Sequence, residues 1–258
     1  MTLEQCFLFS LIVMLATTIE GMVGFGGNIL ALPFIIIFID MELAVPALMF
    51  VPIFNASLRM ISEYKNIFWP AFWKITILGL LGGFLGLFLV QYLSEIVLKV
   101  FLSIFMIFVS LKGFYELHVK TEAILLASKP SILRRLFHFV LLLLSGIYNG
   151  AFTCGGPFVA IYATDTLKEK KYFRATMYST VLITMGIMIA KKISAGDYTK
   201  KTLITVMLLL PALLLGYFFS SKLQKRINGE LFLKFVYLVL LLAGCSMFIM
   251  SSVKLILI

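Results

Sequence analysis

Two glycine-rich stretches, Gly21-Met-Val-Gly-Phe-Gly-Gly-Asn28 and Gly150-Ala-Phe-Thr-Cys-Gly-Gly156, hold the residues of this chain best suited to ligand chemistry. What they offer is mainly backbone. Each is followed by an apolar run that reads as a helix, with Asn28 suited to cap one start and Pro157 suited to the first helical position of the other. A helix start carries unpaired N–H groups and the positive end of the helix dipole, and two such starts meeting inside a membrane would make an anion site. Glycine fits this use because a Cβ would obstruct both a tight turn and the close approach of a ligand. The candidate binding residues are Gly24, Phe25, Gly26, Gly27 and Asn28 in the first stretch. In and beside the second they are Asn149, Thr153, Cys154, Gly155 and Gly156. Glycines can also serve only to let helices approach, as Gly82-x-x-x-Gly86 is expected to do. Recurrence of the break at matching places favours the ligand role.

Polar side chains near these stretches add further candidates, because ionisable groups inside a bilayer are costly and mark function. Glu20 immediately precedes the first glycine stretch. A carboxylate beside an anion site must be protonated or paired, which makes Glu20 a proton-coupling candidate, with an ion-paired structural role as the alternative. Arg59 shares a segment with Asn55 and could grip an oxyanion through its planar guanidinium, or reach to the headgroups instead. Thr176, Ser179, Thr180 and Thr184 recur at helical spacing, so their hydroxyls share one face. Thr180 and Thr184 are the expected contacts, unless these hydroxyls bond back to their own helix. Cys154 could touch sulfur or simply fill a tight turn.

These groups must be positioned by membrane helices. Hydrophobic residues make up 62% of the 258, charged residues only 13%, and mean hydropathy is +1.08, which excludes an ordinary soluble domain. The start of the chain lacks a positive n-region and a small-residue cleavage site, so it reads as mature membrane helix. Cys6, Cys154 and Cys245 lack metal-ligand spacing, and His118 and His138 are expected in or beside a solvated basic loop, as is Asp165. No cofactor or metal site is expected. The net charge of +10 comes from short Lys and Arg runs between apolar segments, a topology signal rather than a nucleic-acid footprint. No HExxH, nucleophile elbow or GxxxxGK[ST] is present, so neither an enzyme nor an ATP-driven pump is expected.

Apolar runs bounded by charges or turn residues predict helices near 5–20, 28–39, 43–61, 70–91 and 97–114. A second series follows near 136–152, 157–166, 175–190, 202–221 and 231–251. A shift of 129 residues places Gly21, Gly26 and Gly27 on Gly150, Gly155 and Gly156, and Glu20 on Asn149. The expected fold is therefore an all-α polytopic membrane protein in one transport domain. Repeat 1 covers 1–115, a cytoplasmic linker 116–135 and repeat 2 136–258. A segment such as 28–39 spans only about 18 Å, short of the roughly 30 Å apolar core. Each half is thus predicted to hold a re-entrant hairpin, turning at 21–27 or at 150–156, plus about three crossings. An odd number of elements per half inverts the second repeat. The side carrying Lys65, Arg134, Arg135, Arg174 and Lys222 is then the more basic one, so it is cytoplasmic and both termini lie outside. The basic loop around Lys191-Lys192 and Lys200-Lys201 runs against that orientation.

Gly24-Phe-Gly-Gly-Asn28 followed by Leu32-Pro33, Gly150-Ala-Phe-Thr-Cys-Gly-Gly156 after the basic linker, and then Tyr172-Phe-Arg-Ala175 resemble the TauE/SafE family of sulfite and organosulfur transporters. The resemblance covers essentially the whole chain. It implies a secondary transporter in the cell membrane for a small anion such as sulfite, sulfoacetate or another sulfonate, with a passive anion channel as the alternative. Asn28 and Thr153-Cys154 depart from the family's fuller glycine runs. The sequence sets no oligomeric state.

Overall fold

The computed structural model describes residues 3–23, 26–118, 132–167, 169–223 and 229–256, and among these every regular element is helical. The first half comprises α1 (Leu3–Val23), α2 (Gly27–Ile35), α3 (Met41–Leu48), α4 (Phe50–Glu63), α5 (Trp69–Tyr92) and α6 (Glu95–His118). The second comprises α7 (Ile132–Phe152), α8 (Gly156–Thr166), α9 (Lys170–Ser194), α10 (Lys200–Leu223) and α11 (Gly229–Ile256). Most of the expected linker, including Lys120 and Lys129, lies outside the described residues.

Among the described residues, seven stretches are long and apolar enough to cross a membrane: in α1, across α3 and α4, and in α5, α6, α7, α9 and α10. α2 and α8, at 9 and 11 residues, rise only about 14 and 17 Å and cannot cross alone. α1 and α7, by contrast, are each long enough to do so. The outer faces of α5, α6 and α10 expose Ile77, Phe88, Ile104, Phe108, Leu208 and Leu215, an apolar surface suited to lipid. Trp69 and Trp73 are exposed at one end of α5 and Tyr92 at the other, where amphipathic rings anchor a span at both interfaces.

Helix pairing crosses between the halves. α5 packs along α7 and α10 along α1; α6 pairs with α11 and α4 with α9; α2 and α8 fold back on α1 and α7. Two of these contacts are glycine seams. On α5 and α7, a Cβ at Gly82, Gly86 or Gly150 would strike the opposing backbone at Leu143, Ile147 or Gly83. On α10, a Cβ at Gly216 would stand 2.7 Å from the Met14 carbonyl of α1. The Gly82-x-x-x-Gly86 expectation is met in this way.

Three expectations need correction. The turns are shorter than 21–27 and 150–156, because α1 continues to Val23 and α7 to Phe152. Gly21 and Gly150 are helical residues at helix contacts, Gly21 against Arg59 and Ser220 and Gly150 against Gly83. The run 43–61 is divided at Met49 into α3 and α4, since Pro46 and Pro52 each remove a helical N–H. Finally, Asp165 is a helix residue rather than a solvated loop one, while His138 lies in α7 beside the basic linker, as expected. Asp165, in the last turn of α8, accepts from both Nε and Nη2 of Arg134, the former at 3.0 Å, while His138 Nε2 lies 2.7 Å from its Oδ2. The His138 ring also meets Tyr162 edge-on at 5.1 Å. This cluster fastens the far end of α8 to α7, a tertiary contact that loop composition does not reveal.

Candidate functional site

The two short helices begin beside each other. At the first turn Gly26 adopts φ 93°, a left-handed conformation that glycine takes without strain. α2 then starts at Gly27 with no side-chain hydrogen bond capping it. A Cβ on Gly27 would be 3.1 Å from the Ala16 carbonyl and would collide with the Glu20 carboxylate. Glycine is required here for close approach rather than for conformation.

The second turn is built differently. Thr153 occupies φ 59°, an outlier for a β-branched residue. Its N–H donates to the Asn149 carbonyl at 2.9 Å, and Ser145 Oγ donates to the Gly155 carbonyl at 2.9 Å. Asn149 Oδ1 accepts from the Gly155 N–H at 3.4 Å, and Cys154 Sγ donates to the Phe152 carbonyl at 3.0 Å. α8 starts at Gly156, also without a side-chain cap, and Pro157 supplies the fixed φ of a first turn.

Asn28 joins the two turns. Its Nδ2 donates to Thr153 Oγ1 at 2.8 Å and to the Leu48 carbonyl at 3.0 Å. Leu48 closes α3, and one turn later Pro52 has no N–H to offer that carbonyl. The division between α3 and α4 thus supplies the acceptor that orients Asn28. A carbonyl only accepts, so the NH2 of Asn28 must face Leu48. Its Oδ1 is buried and has no hydrogen-bond partner among the described residues.

A cavity of about 60 Å³ lies between the turns, larger than the roughly 10–15 Å³ that one water needs. Glu20, Gly26, Gly27, Asn28, Asn149, Thr153, Cys154 and Gly156 form part of its wall. Gly24 and Phe25 lie outside the described residues. Gly155 stands behind the wall, where a Cβ would meet Ser145 and Asn149. Asn55 also stands one layer back, its Nδ2 donating to Glu20 Oε2 at 3.1 Å. Arg59 is not part of the wall; its Nη2 lies 3.0 Å from Ser220 Oγ and its guanidinium 5.0 Å from the Tyr217 ring on α10.

The hydroxyl face of α9 lies off the cavity. Thr180 donates to the Met177 carbonyl and Thr184 to the Thr180 carbonyl, each at 2.8 Å, and Ser179 to the Thr176 carbonyl at 3.0 Å. The α9 wall is instead Met177, Tyr178, Val181 and Met185, with Pro52 and Ala56 from α4. Periodicity defines these two faces equally well, and only packing says which one turns inward. Pro52 was the available cue, since a proline within an apolar run frees a carbonyl for a ligand-side partner.

The site offers helix starts without side-chain caps, one carboxylate, the polar side chains of Asn28, Asn149, Thr153 and Tyr178, and otherwise apolar groups. Among the described residues, no three or more His, Cys, Asp or Glu side chains are grouped so as to hold a metal ion. No curated protein and no solved structure matches the chain. The model of one family, described as sulfite exporter TauE/SafE, matches residues 9–247. With the glycine turns, the crossing helices and nearly the whole length accounted for, this chain belongs to the TauE/SafE sulfite exporter family.

Proposed function

We propose that this protein is a secondary transporter for a small sulfur-containing anion such as sulfite, sulfoacetate or another sulfonate. The anion binds between the starts of α2 and α8 and passes by alternating access. One observation carries the reading: the Asn28–Thr153 hydrogen bond brings two uncapped helix starts to one cavity. Unpaired N–H groups and two positive dipole ends then face the same small volume, the arrangement that favours an anion. Gly26, Gly27, Asn28, Asn149, Thr153, Cys154, Gly155 and Gly156 form or support the site in this reading. Glu20 is the coupling acid, held by Asn55.

The halves are read as inverted repeats in one transport domain, with α2 and α8 as the returning arms of re-entrant hairpins. The exchange of helix partners supports this, since α5 on α7 matches α10 on α1 when first and second halves are swapped. The protein sits in the cell membrane with its more basic side in the cytoplasm and both termini outside. The basic outer loop is partly offset, because Lys192 Nζ pairs with Asp197 at 2.7 Å.

The test is uptake of labelled sulfite, sulfoacetate and taurine into proteoliposomes, with and without a proton gradient. Saturable flux that is accelerated by unlabelled anion on the opposite side is expected. Flux that neither saturates nor shows this acceleration points to a passive channel. Gly27→Leu and Gly156→Leu are expected to abolish uptake, and undiminished flux in both would remove the site assigned here.

A further inference from the structure

The packing of α4 on α9 continues past the cavity toward the loop between α9 and α10. Val181 and Met185 line the cavity and also belong to an apolar cluster with Met49, Met188 and Tyr198. Met49 and Met188 are fully buried there and Met185 nearly so. Thioether side chains therefore close this end of the α4–α9 contact. Methionine is unbranched and adaptable, so such a closure can open by rotamer changes alone.

Tyr198 covers the closure from outside. In the loop after α9, Ala195, Gly196, Asp197 and Thr199 are exposed, while Tyr198 is half-buried. The chain bends at Gly196, with φ 81°. The Tyr198 hydroxyl donates to the Pro46 carbonyl at 3.2 Å and lies 3.8 Å from Met49 Sδ, and its ring meets Phe50 edge-on at 5.6 Å. An exposed loop held through one side chain belongs to the part of a fold that opens most readily. Two residues beyond Pro46 on the same short helix, the Leu48 carbonyl orients Asn28. One break in the chain thus serves both the loop and the site.

We infer that this is a gate on the path to the cavity, with Met49, Met185 and Met188 as its seal and Tyr198 as its latch. The inference rests on the transporter reading above and adds the way in to its site. Release of the hydroxyl from Pro46 lets the loop leave Met49, and the methionines then turn aside along α4 and α9. Movement of α3 in the same step shifts the Leu48 carbonyl, which links the gate to Asn28 and to the two helix starts.

The test is thiol labelling of the full chain in lipid nanodiscs, with Cys6 and Cys245 replaced by serine. Met188→Cys puts a thiol in the seal, and peptide masses separate its labelling from that of Cys154. A membrane-impermeant thiosulfonate is the reagent. Tyr198→Phe keeps the ring on Phe50 but deletes the hydrogen bond, and is expected to speed labelling at 188 on the order of fivefold. Labelling of Met106→Cys, at a fully buried position on α6 outside this cluster, is expected to stay unchanged. Phe50→Leu removes the ring contact and is expected to act as Tyr198→Phe does; it decides alone if Tyr198→Phe does not fold. Unchanged labelling at 188 overturns the inference. Equal acceleration at 188 and 106 also overturns it, because that is general loosening of the fold. No transported substrate enters this measurement, so failure of the uptake assay removes the transporter reading alone, and failure of the labelling removes the gate alone.

Discussion

Asn28 Nδ2 stands 2.8 Å from Thr153 Oγ1, so one amide side chain ties residues 125 positions apart and holds two helix starts at one cavity. Thr153→Val keeps the shape and the strained φ but deletes the acceptor. Loss of about 1–3 kcal/mol is expected for a buried polar partner removed in this way. The check is a lower thermal midpoint in detergent together with reduced anion uptake. Thr153→Gly relieves a backbone strain of about 1–3 kcal/mol while losing the same bond. It is expected to unfold near the temperature of the unaltered protein yet transport poorly.

Gly27 and Gly186 should respond oppositely to alanine. At Gly27 the added methyl meets the Glu20 carboxylate and the Ala16 carbonyl, and uptake is expected to fall at least about tenfold. At Gly186, on α9, a Cβ meets nothing within 4 Å, so helix propensity alone operates and gives a gain of up to about 1 kcal/mol. Parallel uptake and thermal measurements on the two variants separate site geometry from general tolerance.

Glu20→Gln retains an Asn55 contact but cannot exchange a proton. Anion flux down its own gradient is expected to persist, and stimulation by an imposed proton gradient to disappear. Full retention of the proton effect would assign coupling elsewhere.

Asp165→Asn leaves Arg134 and His138 without their shared carboxylate. The expected cost is about 1.5–3 kcal/mol, as for hydrogen bonds to charged groups. It should appear as a lower thermal midpoint and as faster hydrogen exchange in α8 than in α2. Equal exchange in both helices would show that this cluster does not hold α8.

Arg59→Lys tests whether the guanidinium acts on the anion. It stacks on Tyr217 and reaches Ser220 outside the cavity, so the thermal midpoint is expected to fall while half-saturation for the anion stays within about twofold. A large rise in half-saturation would bring Arg59 back into the binding site.

The sequence made the helices and the two glycine breaks readable, because apolar runs and Gly-Gly pairs are local signals. The boundaries near Gly27 and Gly156 follow from the same cues. Other features needed tertiary information. Gly21 and Gly150 look like turn residues in the sequence but are consumed by helix contacts with partners far along the chain. The inward face of α9 proved to be Met177, Tyr178, Val181 and Met185, because the hydroxyls on the adjacent face are satisfied by their own helix. Asp165 and His138, 27 residues apart, meet only because α8 folds back along α7.

The glycine seams constrain how any motion could be divided. At these glycines backbone lies against backbone where α5 meets α7 and where α10 meets α1, which leaves little room to absorb a slip. α1 and α7 are therefore each packed on a helix from the other half of the chain, α10 and α5 respectively. The bodies that move against each other would be mosaics drawn from both halves, and a cut between residues 118 and 132 would separate the gene without separating the machine.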